Sequence, residues 1–149
     1  MTPQLSITLP PSKSLYNRLF VMARLAHRSI PSLWRQLDLC EDLAVMLHAS
    51  GSSEERISVG ASGTAMRLLT ALFALTTERE VLLVSPVRRM TERPLAQLIA
   101  LLSQLGADIA QPSSQEPVEG FYPLVRIRPM NLQQKGLPTL TLPSGLESS

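Results

Sequence analysis

The stretch that decides the fold is residues 56–84, RISVGASGTAMRLLTALFALTTEREVLLV. Arg56–Gly60 predicts a strand that runs into a glycine-containing turn. Thr64–Leu75 is apolar on nearly every side, as is typical of a helix surrounded by protein. The short apolar run Val81–Val84 predicts a second strand. A buried helix between two strands indicates an α/β or α+β domain.

Elements of the same two kinds lie on both sides of this stretch. The helical spacing of apolar residues predicts helices over 14–27, 42–49 and 94–105. Pro94 is expected at the first position of the last of these helices, and Gly106 is expected to end it. Further strands are predicted near 5–9, 107–110, 124–127 and 140–142. The Pro- and Ser-rich segment 111–120 predicts a surface hairpin loop.

The pattern repeats after about 50 residues. Two hydroxyl residues, Ser12 and Ser14, precede one apolar helix, and Ser62 and Thr64 precede another. This self-similarity predicts two related units, near residues 10–60 and 61–130. Two further hydroxyl residues follow the last predicted strand, so we expect a third unit to be cut off after residue 149.

Composition narrows the classes of function. Of the 149 residues 44% are hydrophobic, which predicts a folded domain, and the net charge is only +2. The chain has no run of basic residues interleaved with aromatics, so a nucleic-acid partner is not favoured. Cys40 is the single cysteine, so a disulfide within the chain is impossible, and its side chain is expected to be buried. No signal peptide precedes the first strand and no apolar run could span a bilayer, so we expect a soluble, cytoplasmic protein without a membrane partner.

The first chemically informative run is Pro11-Ser12-Lys13-Ser14, followed by Arg18. Its serines stand where a helix begins, and free backbone N–H groups and the positive end of the helix dipole point outwards there. Lys13 and Arg18 add full positive charge, so the run predicts a site for an anion. An ordinary serine cap with two solvated cations is the alternative for this run taken alone.

Two later runs have the same character. Ser62-Gly63-Thr64 begins the buried helix, and Gly63 has no side chain to keep a ligand from the backbone. Arg88-Arg89-Met90-Thr91-Glu92-Arg93 supplies three cations between a strand and a helix. Each run alone also fits a plain helix start or a solvated loop. If the helix starts converge, Lys13, Arg18 and Arg93 would surround a substrate with several anionic groups.

These runs, in their order along the chain, resemble the EPSP synthase family. Its first signature is similar to Leu9-Pro10-Pro11-Ser12-Lys13-Ser14-x-x-Asn17-Arg18, and its second to Ser62-Gly63-Thr64-Ala65-Met66-Arg67. Its third is similar to Arg89-Met90-x-Glu92-Arg93-Pro94. Glu147-Ser148-Ser149 resembles the start of the family's next substrate-binding helix. Ala61 departs from the family, where asparagine is common, which weakens one expected contact to phosphoenolpyruvate.

The resemblance implies a fold and a reaction. The family has two similar domains, each of three βαβαββ units, in an inside-out barrel, and this chain would form an incomplete first domain. The implied reaction transfers the enolpyruvyl group from phosphoenolpyruvate to the 5-hydroxyl of shikimate 3-phosphate and releases phosphate, with no metal or organic cofactor. The implied partner is the remaining C-terminal portion of the enzyme, without which we expect no activity.

The resemblance also implies roles for individual residues. Lys13 would act in catalysis between the two substrates. Shikimate 3-phosphate would be bound by Lys13, Ser14, Arg18, Ser148 and Ser149, and phosphoenolpyruvate by Lys13, Gly63 and Arg93. Two alternatives stay open: a related transferase acting on UDP-N-acetylglucosamine, and a non-catalytic remnant that binds anions.

Overall fold

The computed structural model describes residues 12–29, 39–114 and 116–130. Every helix and strand predicted within these ranges is present. In chain order they are α1 (Lys13–Leu25), α2 (Glu41–Gly51), β1 (Arg56–Ser58), α3 (Gly63–Thr76), β2 (Val81–Ser85), a 3₁₀ helix (Arg88–Glu92), α4 (Ala96–Gln104), β3 (Asp108–Ala110) and β4 (Tyr122–Arg128). The strands predicted near 5–9 and 140–142 lie outside the described residues. None of the described helices has the length and apolar character needed to cross a membrane.

The four strands form one mixed sheet in the order β1-β2-β4-β3. The edge strand β1 is parallel to β2, and β4 is antiparallel to both β2 and β3. The segment 111–120 connects the antiparallel pair β3 and β4, as predicted for a hairpin loop. From β1 to β4 the order of elements is βαβαββ. The mixed α/β class is therefore confirmed, whereas a barrel of repeated units stays a prediction.

Helix α3 lies in the centre of the core. Its buried side chains come from several faces of the helix, as its uniformly apolar sequence predicts: Ala65, Met66, Leu69, Leu72, Phe73 and Ala74. Buried Thr70 is accommodated because its hydroxyl donates to the carbonyl oxygen of Met66 over 2.7 Å. Helices α1, α2 and α4 contact α3, and so do strands β2 and β4.

Three local predictions were wrong in detail. Pro94 is not the first residue of α4, because the helix begins at Ala96 with Leu95 as its N-cap. Buried Met90 and Leu95 hold the intervening segment to the core, so the chain turns into the helix later than Pro94. Helix α2 extends two residues beyond its predicted end at residue 49 and ends at Gly51. Cys40 is exposed at the N-cap of α2 and is not part of the core.

A single hydroxyl caps α3. The Ser62 side chain is buried, and its Oγ accepts a hydrogen bond from the backbone N–H of Ala65 over 3.1 Å. In Ser62→Ala that N–H would lose its partner inside the protein. We expect the free energy of unfolding to fall by about 1 kcal/mol in a urea titration. Ser53→Ala, at an exposed loop position, is the control, and equal stability of the two variants would contradict the capping role.

Candidate anion-binding site

One end of the sheet holds two of the three runs that the sequence indicated as functional. Because β1 and β2 are parallel, the segments that follow them leave from the same end. The turn Gly60–Gly63 follows β1 and leads into α3. The 3₁₀ helix and Arg93 follow β2. The second and third runs of the sequence analysis therefore meet at this end. We refer to residues 60–63 and 88–93, at this end of the sheet, as the switch end.

The turn after β1 is tied to β2 by hydrogen bonds. The backbone N–H of Val59 donates to the carbonyl oxygen of Val84 over 2.9 Å, and the Ser85 hydroxyl donates to the carbonyl oxygen of Gly60 over 2.6 Å. Gly60 has φ +55, and a Cβ there would lie 3.3 Å from Cγ2 of Val45. A glycine is therefore favoured at this position by both its backbone conformation and its close neighbour. Sequence reasoning missed Ser85, whose only signal is a serine that ends an apolar strand.

Gly63 and Arg93 are neighbours across the switch end. A Cβ built on Gly63 would lie 3.8 Å from both Cζ and Nε of Arg93. Gly63 is the first residue of α3, where backbone N–H groups have no partner within the helix. The guanidinium thus lies beside the positive end of the helix dipole. This pairing of cation and helix start is suited to a carboxylate or a phosphate.

Lys13 reaches the same region through the start of α2. Its ammonium group forms an ion pair with the Asp42 carboxylate. The neighbouring Glu41 places Oε1 3.8 Å from the position of a Cβ on Gly60, which belongs to the turn before α3. The starts of α1, α2 and α3 are therefore linked by consecutive contacts. The sequence had indicated Glu41 and Asp42 only as charges that cap α2, and the contact with Lys13 was not predicted.

Ser14 and Arg18 form a second polar pair on α1. One guanidinium nitrogen of Arg18 donates to the carbonyl oxygen of Ser14 over 3.1 Å and also to its hydroxyl. Both side chains are exposed one helical turn apart. Ser148 and Ser149, predicted to bind the same substrate, lie outside the described residues.

A concavity of about 420 Å³ borders this region. It is lined by the segment Met90–Ala96 together with Gln111, Pro112, Pro123 and Leu124. Arg93 is part of this lining, whereas Lys13 and Gly63 are not. The described residues therefore place Arg93 between the Gly63 turn and this concavity, but they do not enclose all predicted site residues in one cavity.

The opposite end of the sheet has a different electrostatic character. Glu80 forms ion pairs with Arg126 over 3.1 Å and with Arg128 over 3.0 Å, and Asp108 contacts Arg128 over 3.3 Å. Hydrogen bonds to Asp108 and then to Glu80 raise the pKa of Arg128 above its ordinary value. Arg126 and Arg128 have carboxylate partners, as Lys13 does, whereas Arg93 has no ion pair among the described residues, so anion binding is better placed beside Arg93 at the switch end. Within the described ranges, no three side chains of the His, Cys, Asp or Glu type group as metal ligands.

More than half of the chain matches a known protein family. The family model described as EPSP synthase (3-phosphoshikimate 1-carboxyvinyltransferase) matches residues 50–136. That segment contains the switch end and the whole sheet.

Several curated relatives bear the name 3-phosphoshikimate 1-carboxyvinyltransferase. The protein of Bacteroides fragilis strain ATCC 25285 is 37% identical over 120 residues, which cover 80% of this chain and 27% of the relative. Those of Nitrosomonas europaea and Cellvibrio japonicus are 32% and 33% identical and cover 95% and 88% of this chain. The chain spans only 37% and 34% of these two relatives. From its matched family model and its relatives, the chain belongs to the EPSP synthase family.

Proposed function

We propose that this chain supplies part of the substrate site of an enzyme that transfers the enolpyruvyl group from phosphoenolpyruvate to shikimate 3-phosphate. The observation that carries the proposal is the placement of the Arg93 guanidinium beside Gly63 at the start of α3. Membership of the EPSP synthase family and the names of the relatives support the same reaction. Phosphoenolpyruvate, with a carboxylate and a phosphate on a small carbon frame, suits this arrangement.

The proposed reaction has two stages. The 5-hydroxyl oxygen of shikimate 3-phosphate loses its proton and bonds to C2 of phosphoenolpyruvate, while the methylene carbon of phosphoenolpyruvate gains a proton. The C–O bond to phosphate then breaks and the methyl group loses a proton, which restores the double bond and leaves enolpyruvyl ether and inorganic phosphate. In this scheme Lys13 lies between the substrates and stabilises the negative charge on the attacking oxygen and on the departing phosphate.

The remaining proposed roles assign each substrate to residues near different helix starts. Gly63 and Arg93 bind phosphoenolpyruvate together with Lys13. Ser14 and Arg18 bind the carboxylate side of shikimate 3-phosphate, and the hydrogen bonds from Arg18 to Ser14 support a joint role for the two. Ser148 and Ser149 bind its phosphate. Each role is a separate proposal and can be tested by substitution.

The activity of the whole enzyme requires more polypeptide than these residues provide. The chain spans 27–37% of the length of the relatives described above. We therefore propose that the 149-residue chain alone does not turn over phosphoenolpyruvate, and that its partner in catalysis is the remaining portion of a family enzyme. Phosphate release by the purified chain alone would contradict this.

The test of the function is a chimera. Residues 1–149 replace the matched segment of the Bacteroides fragilis relative, and phosphate release is measured with phosphoenolpyruvate and shikimate 3-phosphate. We expect turnover that depends on both substrates. Turnover with UDP-N-acetylglucosamine instead would favour the related sugar-nucleotide transferase. A folded chimera that binds phosphoenolpyruvate but turns over neither acceptor would favour a non-catalytic anion-binding remnant.

The variant Gly63→Ala tests whether a bound ligand needs the space beside Gly63, because the added methyl group does not disturb the packing of the protein. The new Cβ would be in ordinary contact with Arg93 at 3.8 Å, so no protein atom has to move. Alanine also favours the helix by up to about 1 kcal/mol over glycine. We expect unchanged or higher stability of the chimera, together with a KM for phosphoenolpyruvate raised by several fold. Gly51→Ala, whose Cβ would meet nothing within 4 Å, is the control. An unchanged KM would remove Gly63 from the site.

A further inference from the structure

Ser85, the last residue of β2, is fully buried, and its hydroxyl bonds to two different connections. It donates to the carbonyl oxygen of Gly60 over 2.6 Å, and it accepts from the backbone N–H of Val87 over 3.0 Å. The carbonyl oxygen of Val87 lies farther from the hydroxyl, at 3.4 Å, so the single hydroxyl hydrogen is better directed at Gly60. One buried side chain therefore joins the turn before α3 to the segment after β2.

The hydrogen bonds continue from Val87 to Arg93. The carbonyl oxygen of Val87 accepts from the backbone N–H of Met90 over 3.0 Å, and that of Met90 accepts from the backbone N–H of Arg93 over 3.3 Å. The Met90 side chain is buried, which holds the middle of this segment to the core. With the two bonds of Ser85, they form a continuous chain of hydrogen bonds from Gly60 to Arg93. We refer to this chain as the Ser85 bridge.

The two ends of the Ser85 bridge meet again at the candidate site. Gly60 precedes Gly63 by one short turn, and a Cβ on Gly63 would lie 3.8 Å from both Nε and Cζ of Arg93. The middle of the bridge has a fixed support, because Ser85 is paired with Tyr122 of β4. The place of the guanidinium beside the start of α3 therefore depends on a closed circuit of contacts, in which the Ser85 hydroxyl joins the two connections.

We propose that Ser85 is a positioning residue for anion binding, whose hydroxyl sets where Arg93 lies relative to Gly63. The Arg93 side chain is exposed, and an exposed arginine has many rotamers to lose when it binds a ligand. A fixed backbone keeps the guanidinium near the N–H groups of the helix start, so both can bind one anion. The identity of that anion, phosphoenolpyruvate, rests on the proposed function, whereas the effect of Ser85 on Arg93 does not.

Amide hydrogen exchange of the 149-residue chain tests the bridge without a ligand. In Ser85→Ala the N–H of Val87 loses its acceptor. We expect the amides of Met90 and Arg93, whose own acceptors are unchanged, to exchange about tenfold faster because the segment opens more often. Ser50→Ala is the matched control, since it removes the hydroxyl of a buried serine that bonds within α2. It should leave both rates within about twofold.

Steady-state kinetics of the chimera test the consequence for the ligand. We expect Ser85→Ala to raise the KM for phosphoenolpyruvate by about 3- to 10-fold and to change the KM for shikimate 3-phosphate by less than about twofold. Ser85→Thr keeps the hydroxyl at a strand position that suits a β-branched residue, so it should restore the parent KM. Ser85→Cys keeps the approximate size but has a weak donor, so it should not restore it.

A double-mutant cycle separates positioning from a general loss of stability. If Ser85 acts through Arg93, adding Ser85→Ala to Arg93→Ala should raise the KM for phosphoenolpyruvate by less than about twofold further. Effects that multiply would overturn the proposal, and so would unchanged exchange at Arg93 or an unchanged KM in Ser85→Ala. A folded parent chimera without turnover would contradict the proposed function alone, and faster exchange at Arg93 in Ser85→Ala would still support its positioning by Ser85.

Discussion

Replacing Lys13 by alanine in the chimera is expected to lower kcat by about 10²–10³-fold, with a much smaller change in either KM. The physical reason is that a positive group placed where charge develops stabilises the transition state more than the bound substrates. The Lys13 ammonium is held at the start of α1 by its ion pair with Asp42, so the charge is positioned before substrate arrives. Steady-state kinetics with both substrates varied measures the effect.

The control for Lys13 is Arg24→Ala. Arg24 is an exposed cation in the last turn of the same helix, so the variant removes the same charge far from the switch end. We expect its kcat to remain within about twofold of the parent chimera, since distant exposed charges are screened by solvent and salt. A similar loss of kcat in both variants would indicate a general effect of net charge, and an unchanged kcat in Lys13→Ala would exclude Lys13 from catalysis.

Replacing Arg93 by alanine is expected to raise the KM for phosphoenolpyruvate by about 10- to 100-fold. Hydrogen bonds between charged partners contribute about 1.5–3 kcal/mol each, and the planar guanidinium can give two of them to one carboxylate. Because a Cβ on Gly63 would meet the guanidinium at 3.8 Å, the lost group belongs to the wall of the same site. Arg93→Lys should give an intermediate KM, since lysine keeps the charge and loses the fork.

Arg88→Ala is the matched control for Arg93. It lies in the same connection between β2 and α4, at the first residue of the 3₁₀ helix, and is also exposed. We expect its KM for phosphoenolpyruvate to change by less than about twofold. If Arg88→Ala raised this KM as much as Arg93→Ala, the segment would attract anions by general charge. If Arg93→Ala affected only the KM for shikimate 3-phosphate, the assignment of substrates to helix starts would be reversed.

Much of the secondary structure could be predicted because its causes are local. Because Thr64–Leu75 is apolar on nearly every side, burial of most of the helix is expected, and α3 has buried residues on several faces although Leu75 stays 41% exposed. Gly106, with φ +89, follows the end of α4 at Gln104 and stops the helix as predicted, because a positive φ favours glycine. The start of α4 was placed too early because Met90 and Leu95 anchor the chain in the core, and that packing has no local signature.

The contacts at the switch end depend on the tertiary structure. Sequence motifs indicated Lys13, Gly63 and Arg93 as separate helix starts and cations. The contact between Gly63 and Arg93 follows from the parallel pairing of β1 with β2, which brings two connections to one end of the sheet. The ion pair of Lys13 with Asp42 joins residues from different helices, and a charge pattern alone does not predict which partners meet.

The sequence by itself determined the element types, the buried character of α3 and the cationic residues near helix starts, since these follow from side-chain chemistry and short-range periodicity. The tertiary structure decided that Gly63 lies against Arg93, that Ser85 holds the Gly60 turn, and that α1 keeps an apolar face exposed. These contacts join residues far apart in the chain, and strand pairing and packing in three dimensions select them.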